Sequence, residues 1–212
     1  MKKILIGGLF FSFLLFSGCS LKGVEKKVAN NQDKPGSRVD NFVDSNRPSN
    51  LPQEVESESR LVNNEAFSLE AAANWKESPA LVPGVSLMMV DSAETSTRPE
   101  VRRINFKSYF SVSYATLDGK TLTQYNTYLK DKLTQMVKSI TFKDLEPTII
   151  DGRPTQVFSA DLTQQGVDFK VLMFVATGKD NDVWMISFNT LAENLDKSQA
   201  LFSQIATSFR VK

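Results

Sequence analysis

The chain has no histidine and a single cysteine among its 212 residues. Without imidazole, the Ser-His-Asp and Cys-His forms of nucleophile activation are excluded, as are imidazole acid–base work and the usual zinc ligand sets. A lone thiol forms no disulfide within the chain, so the fold must hold by packing. An excess of one charge is missing too. The 25 Lys and Arg face 24 Asp and Glu, and a nucleic-acid binder needs a basic footprint that such a balance does not supply. No apolar run reaches the roughly 20 residues of a membrane span; the longest, Ile4 to Phe16, falls short. A glycine-rich phosphate loop is also absent, because Gly7 and Gly8 lie in that run while Gly84, Gly119, Gly152, Gly166 and Gly178 stand singly, as turn glycines do.

What is present begins at the start of the chain. Lys2 and Lys3 form a positive n-region, Ile4 to Phe16 an apolar h-region, and Ser17-Gly18 a small-residue site ahead of Cys19. The stretch Leu15-Phe16-Ser17-Gly18-Cys19 resembles the lipobox of bacterial lipoproteins, with Phe16 where leucine is usual. The resemblance implies a signal peptide over residues 1–18, cleavage between Gly18 and Cys19, and lipidation of the Cys19 thiol. Two or three acyl chains, at about 0.8 kcal/mol per buried methylene, exceed what stable anchoring requires. The competing readings are an ordinary secretory signal and a buried free thiol. Ser20 stands where an inner-membrane retention signal would place aspartate. A cell-membrane lipoprotein is therefore expected, on the outer membrane and facing the periplasm if the host has two membranes.

Residues 19–65 read as the lipidated cysteine and a flexible tether. Pro35, Pro48 and Pro52, many Asn, Ser and Glu, and the mixed charge of KGVEKK and QEVESESR leave no period long enough to bury a face. As a coil, about 45 residues reach on the order of 35–40 Å. The alternative is a segment around Val55 to Val62 that folds on a partner.

Residues 66–212 read as the folded domain. Phe67 and Leu69 share one face of a short strand, a Pro83-Gly84 turn leads into a strand over Val85 to Val90, and Ser92 to Pro99 is a polar loop. From Val101 the even positions Ile104, Phe106, Phe110, Val112 and Tyr114 alternate with Arg103, Asn105, Lys107 and Ser111. That period predicts one long strand with a wet face, or two strands broken near Ser108. The spacing of Leu122, Tyr125, Leu129, Leu133, Met136 and Ile140 predicts a helix capped by Thr121 or Thr123. Its lysines, Lys130, Lys132 and Lys138, read as a solvated face. Thr148 to Ile150, the Asp151-Gly152 turn, Pro154 to Leu162, the apolar Val171 to Ala176 and VWMISF give further strands, Val171 to Ala176 being central. Leu191, Leu195, Leu201 or Phe202, Ile205 and Phe209 mark a second helix. The pattern is an α+β fold, an antiparallel β-sheet flanked by helices.

The order of these elements, with FSLEAAANWKESP, TLTQYNTYLKDKL, IIDGRPTQVFSADL and LFSQIATSFRV, resembles the PsbP/Mog1 superfamily and its bacterial DcrB-like lipoproteins over about Ala66 to Lys212. The resemblance implies a PsbP/Mog1-like α/β/α sandwich and a role in binding or assembly. The histidine ligands of the plant photosystem members have no counterpart in this chain.

For function, the expectation is a non-enzymatic, lipid-anchored envelope protein that binds or helps assemble another envelope component. No catalytic residue, metal or cofactor is assigned, and the partners are the membrane, through the N-terminal lipid, and an envelope protein, not nucleic acid. The candidate binding surface is Arg98, Arg102 and Arg103 beside Pro99, since loops on a rigid sheet are where binding surfaces occur. Trp75, Trp184, Met88, Met89, Met173 and Met185 are expected in the core. Asp151, Asp161, Asp168, Asp180 and Asp182 are ordinary turn residues that leave room for carboxylate chemistry. A carrier of a small or hydrophobic ligand between sheet and helix is the alternative, marked by a Phe- and Met-lined cavity with a polar mouth. A carboxylate-dependent hydrolase ranks below it, marked by converging carboxylates.

Overall fold

The computed structural model describes residues 58–80 and 83–212. The leader, Gly18 and Cys19, and residues 20–57 of the tether lie outside the described residues. In chain order the elements are β1 (Ser59–Asn63), β2 (Phe67–Ala72), β3 (Trp75–Glu77), β4 (Val85–Asp91), α1 (Pro99–Arg103), β5 (Tyr109–Thr116), α2 (Leu122–Met136), β6 (Ile140–Ile150), β7 (Arg153–Gln164), β8 (Val167–Thr177), β9 (Asp182–Leu191), α3 (Leu195–Thr207) and β10 (Arg210–Val211). A short 3-10 turn, Ala192–Asn194, joins β9 to α3.

Seven strands form one antiparallel sheet in the order β3-β4-β5-β9-β8-β7-β6, and β1-β2-β10 form a small second sheet. Two-residue loops set the register of the β6-β7-β8 meander. Asp151 and Gly152 both take positive φ, 53° and 70°, as a type I′ turn requires at both central positions. The second loop, Gln165-Gly166, repeats the pattern at 52° and 78°. Pro147 lies where β6 slips register between Leu145 and Thr148. A residue without an N–H is tolerated there because β6 is an edge strand.

The connection from β5 to β6 passes over β9, β8 and β7, and α2 is what fills it. Thr121 starts the helix with a complete capping box: its hydroxyl accepts from the Gln124 N–H and the Gln124 side chain accepts from the Thr121 N–H. Tyr125, Leu129 and Leu133, one turn apart, are buried against the sheet. The helix stops when Val137 turns extended, at φ −121°.

The large sheet thus has two covered faces. On one, α3 and the small sheet close over Trp75, Phe110, Phe174, Trp184 and Phe188 with Phe67, Phe202 and Phe209. Phe188 stacks on Phe202 with centroids 4.7 Å apart. The other face carries α1 and α2 over Phe158, Phe169, Val171, Met173 and Met185. Among the described residues no helix is long and apolar enough to cross a membrane.

Several expectations need correction. No strand runs on from Val101: Pro99 opens a short helix as its first residue, and Asn105 reverses the chain at φ 51°. Ile104 and Phe106 consequently pack on the α2 side, whereas Phe110 and Val112 face α3. Ile140 belongs to β6, not to α2, because the extended Val137 ends the helical register before it. β6 is itself far longer than Thr148 to Ile150. Folded structure also begins earlier than Ala66. β1 pairs with β2 from Ser59↔Ala72 to Asn63↔Ser68, inside the segment read as tether. Leu191 and Phe209 flank α3 rather than belonging to it, and Leu191 packs on the opposite face of the sheet.

Candidate functional site

The arginine surface proves to be two different things. Arg98 lies in the bend before α1, where its Nε donates to Glu100 Oε1 at 2.7 Å and its Nη1 to Glu193 Oε2 at 3.0 Å. Its own backbone N–H and the Arg98 guanidinium hold the Glu100 carboxyl below the usual carboxylate range, and the guanidinium is raised in return, first by Glu100. The same loop is fastened a second time by Glu94, which accepts from the Ser108 backbone N–H, from Ser108 Oγ at 3.1 Å and from Asn194 Nδ2 at 2.9 Å. Arg98 is therefore a clamp between this loop and the turn after β9. Arg102 and Arg103 are exposed, and Arg103 donates weakly to the Gln165 carbonyl, at 3.5 Å.

The carboxylates do not converge. Asp151 lies 3.6 Å from Arg153 and accepts from the Val211 N–H at 3.0 Å, Asp161 pairs with Lys170 at 2.8 Å, and Asp168 accepts from Thr163 Oγ1 at 2.6 Å. Asp182 takes the Tyr114 hydroxyl at 3.0 Å. Asp180 sits in the β8–β9 turn at φ 57°. Among the described residues no three His, Cys, Asp or Glu side chains gather closely enough to hold a metal ion. Trp75, Trp184, Met88, Met89, Met173 and Met185 are all buried, as expected.

A cavity of about 50 Å³ lies between the C-terminal end of α2 and the sheet, room for about three waters at roughly 15 Å³ each. Leu133 of α2, Val137 just past its end and Ile140 at the start of β6 form one side, and Phe158, Ala160, Leu162, Val171 and Met173 of β7 and β8 the apolar floor. The rest of the floor is polar. Cross-strand partners share a face of a sheet, and Ser187 lies between Ser111 on β5 and Met173 on β8, as Asn189 lies between Tyr109 and Val171. β9 is thus the seam between a polar half, with Tyr109, Ser111, Ser113, Ser187 and Asn189, and an apolar half. None of the lining residues is charged.

Asn189 is the unusual member. It is 2% exposed, and its Nδ2 donates to Ser187 Oγ at 3.2 Å and, weakly, to the Ser187 carbonyl at 3.5 Å. The carbonyl can only accept, which fixes the NH2 on that side and leaves Oδ1 buried with no partner among the described residues. Left without any donor, such a group costs about 1–3 kcal/mol. Burial also pushes the Tyr109 phenol up. Tyr125 of α2, pushed up to about 12 mainly by burial, donates to Met185 Sδ at 3.7 Å on the same side of the sheet.

Sequence reading did not single out Ser187 and Asn189. The signal was available in VWMISFNTL: Val183, Met185, Ser187, Asn189 and Leu191 form one alternating set, and two polar residues in a set buried on both sides mark a seam or a site.

Comparison with solved structures matches the fold. The cyanobacterial PsbP of Synechocystis superposes with a TM-score of 0.55 at 15% identity, over 76% of this chain and 97% of that one. The fold is PsbP/Mog1-like. LpqN, described as involved in cell envelope biogenesis of Mycobacterium tuberculosis, gives 0.52 at 10% identity over 73% of this chain and 91% of that one. The Ran-binding protein Mog1p of Saccharomyces cerevisiae gives 0.51 at 11% identity, over 73% and 96%. No family model and no curated protein sequence matches the chain. At such identities the likeness is one of fold, and function has to be argued from the side chains.

Proposed function

We propose that this chain is a lipid-anchored envelope protein of the DcrB-like kind, a non-enzymatic module that binds or helps assemble another envelope component. In this reading Cys19 is acylated after cleavage behind Gly18, residues 20–57 carry the domain away from the membrane, and the domain offers Arg102 and Arg103 to a protein partner. The observation that carries it is the clamped corner. Arg98 and Glu94 fix the loop and α1 to the turn after β9, so the two exposed guanidiniums beyond them stand on rigid backbone at little conformational cost to binding. The partnered state of Asp151, Asp161, Asp168 and Asp182 supports binding over hydrolysis. An envelope-biogenesis protein and a Ran-binding protein among the structural neighbours make the same fold compatible with such a role, by analogy alone.

Crosslinking in native membranes tests this reading. The full chain should capture a defined partner, the double variant Arg102→Glu/Arg103→Glu should lose it while keeping its stability, and Cys19→Ala should release the protein from the membrane. An unmodified Cys19 in the native protein by mass spectrometry overturns the anchor, and an unchanged crosslink pattern in the double variant overturns the surface.

A further inference from the structure

We infer that the cavity under α2 is the floor of a binding site for a small uncharged amphiphile, an apolar body bearing one hydroxyl or N–H that donates to Asn189 Oδ1. Three observations converge on that class. The lining holds no charged side chain, so a charged ligand would be buried without a partner. Its two halves differ in kind along β9: Val171 and Met173 on one side, Ser111 and Tyr109 on the other. A ligand that satisfies both needs an apolar and a polar side. Finally, the buried Oδ1 of Asn189 lacks a donor among the described residues, which a purely apolar guest would leave unmet.

Access lies at the end of α2. Val137 has already left the helical conformation, and Val137 and Ile140 are half-buried while residues 138 and 139 between them are exposed. A shift of this short link widens the space without unwinding the turns that bury Tyr125 and Leu129. The inference does not depend on the partner-binding reading, since occupancy of the cavity and protein crosslinks are measured separately.

Phenol and toluene are the probes, equal in shape and different in one hydroxyl. The full chain, held in lipid nanodiscs and labelled with 13C at the methionine methyls, carries its own internal reporters. Met173 and Met185 line the cavity, whereas Met88 and Met89 do not. Phenol is expected to shift the Met173 and Met185 signals saturably, to leave Met88 and Met89 in place, and to bind several-fold to about tenfold more tightly than toluene, as one net hydrogen bond allows. A dry apolar void would show the opposite order, because phenol gives up its hydration without return. Asn189→Leu should invert the preference, and Ala160→Phe, which fills the floor, should abolish both shifts. Absence of saturation in the unaltered chain, equal movement of every methionine signal, or toluene binding as well as phenol overturns the inference. That comparison is decisive even where a variant fails to fold.

Discussion

Replacing Asn189 by leucine should make this protein more stable. Leucine keeps the branching and heavy-atom count of asparagine but is the larger residue, and the adjacent cavity of about 50 Å³ gives its methyls room, so the site does not overfill. The losses are two donations from Nδ2, one at 3.2 Å, the limit of the usual range, and one at 3.5 Å, beyond it, together about 1 kcal/mol. The gains are removal of a buried, unpartnered Oδ1, about 1–3 kcal/mol, and apolar contact with Val171 across the strand. The net expectation is a gain of about 1 kcal/mol, or roughly 2–4 °C in Tm for a unit of this size. Equilibrium urea unfolding of the full chain measures it, as a rise in midpoint at constant slope. Asn189→Asp, which puts a charge into an uncharged lining, should instead destabilise strongly. If Asn189→Leu destabilises by about 1 kcal/mol or more, Oδ1 is satisfied in solution by an ordered water. Asn189 Oδ1 then awaits no donor from a ligand.

Two further outcomes follow from other parts of the structure. Tyr125 has its phenol raised from 10.0 to about 12 by burial, so its contribution to stability is full below pH 10 and is lost as pH rises through 12. Urea midpoints from pH 9 to 12 should therefore fall less steeply in Tyr125→Phe than in the unaltered chain, and equal slopes would refute the assignment. Phe188 is fully buried, 4.7 Å from the Phe202 ring and 5.4 Å from that of Phe110. Phe188→Ala should cost about 3–5 kcal/mol by chemical denaturation, and a loss under 1 kcal/mol would mean that α3 settles into the gap.

Much of the fold was legible because strands and helices write their periods into the sequence where a single face is buried. The α2 stripe of Tyr125, Leu129 and Leu133, the Asp151-Gly152 hairpin and the doubly covered β8 all follow from local chemistry. What was not legible depended on distant partners. β1 exposes most of its side chains, Leu61 included at 66%, and is a strand only because β2 offers it hydrogen bonds. β10 is likewise two residues long and exists by pairing with Phe67 and Ser68. The stretch from Pro99 to Phe106 misled for the opposite reason. Its alternation is genuine, but a proline at the helix start and a left-handed Asn105 override it. The arginine cluster was visible as composition, while the pairing of Arg98 with Glu193, distant in the chain, was not.

The two faces of the large sheet answer different physical demands. On the α3 side the inward positions of β9 are Trp184, Ile186 and Phe188, and they meet rings from β2, β5, β8 and α3, a filling that suits stability. On the α2 side the same strand presents Met185, Ser187 and Asn189, although apolar residues there would hold the helix better. Natural sequences are locally consistent except where something other than folding is selected. Other polar groups are buried elsewhere, among them Asn126 on α2, but at this seam they border a cavity and leave Asn189 Oδ1 open to it. Stability alone predicts that leucine at 189 is tolerated or favoured, and binding predicts that it is not. The asymmetry of the sheet can therefore be tested by a single substitution measured twice, once for unfolding and once for phenol.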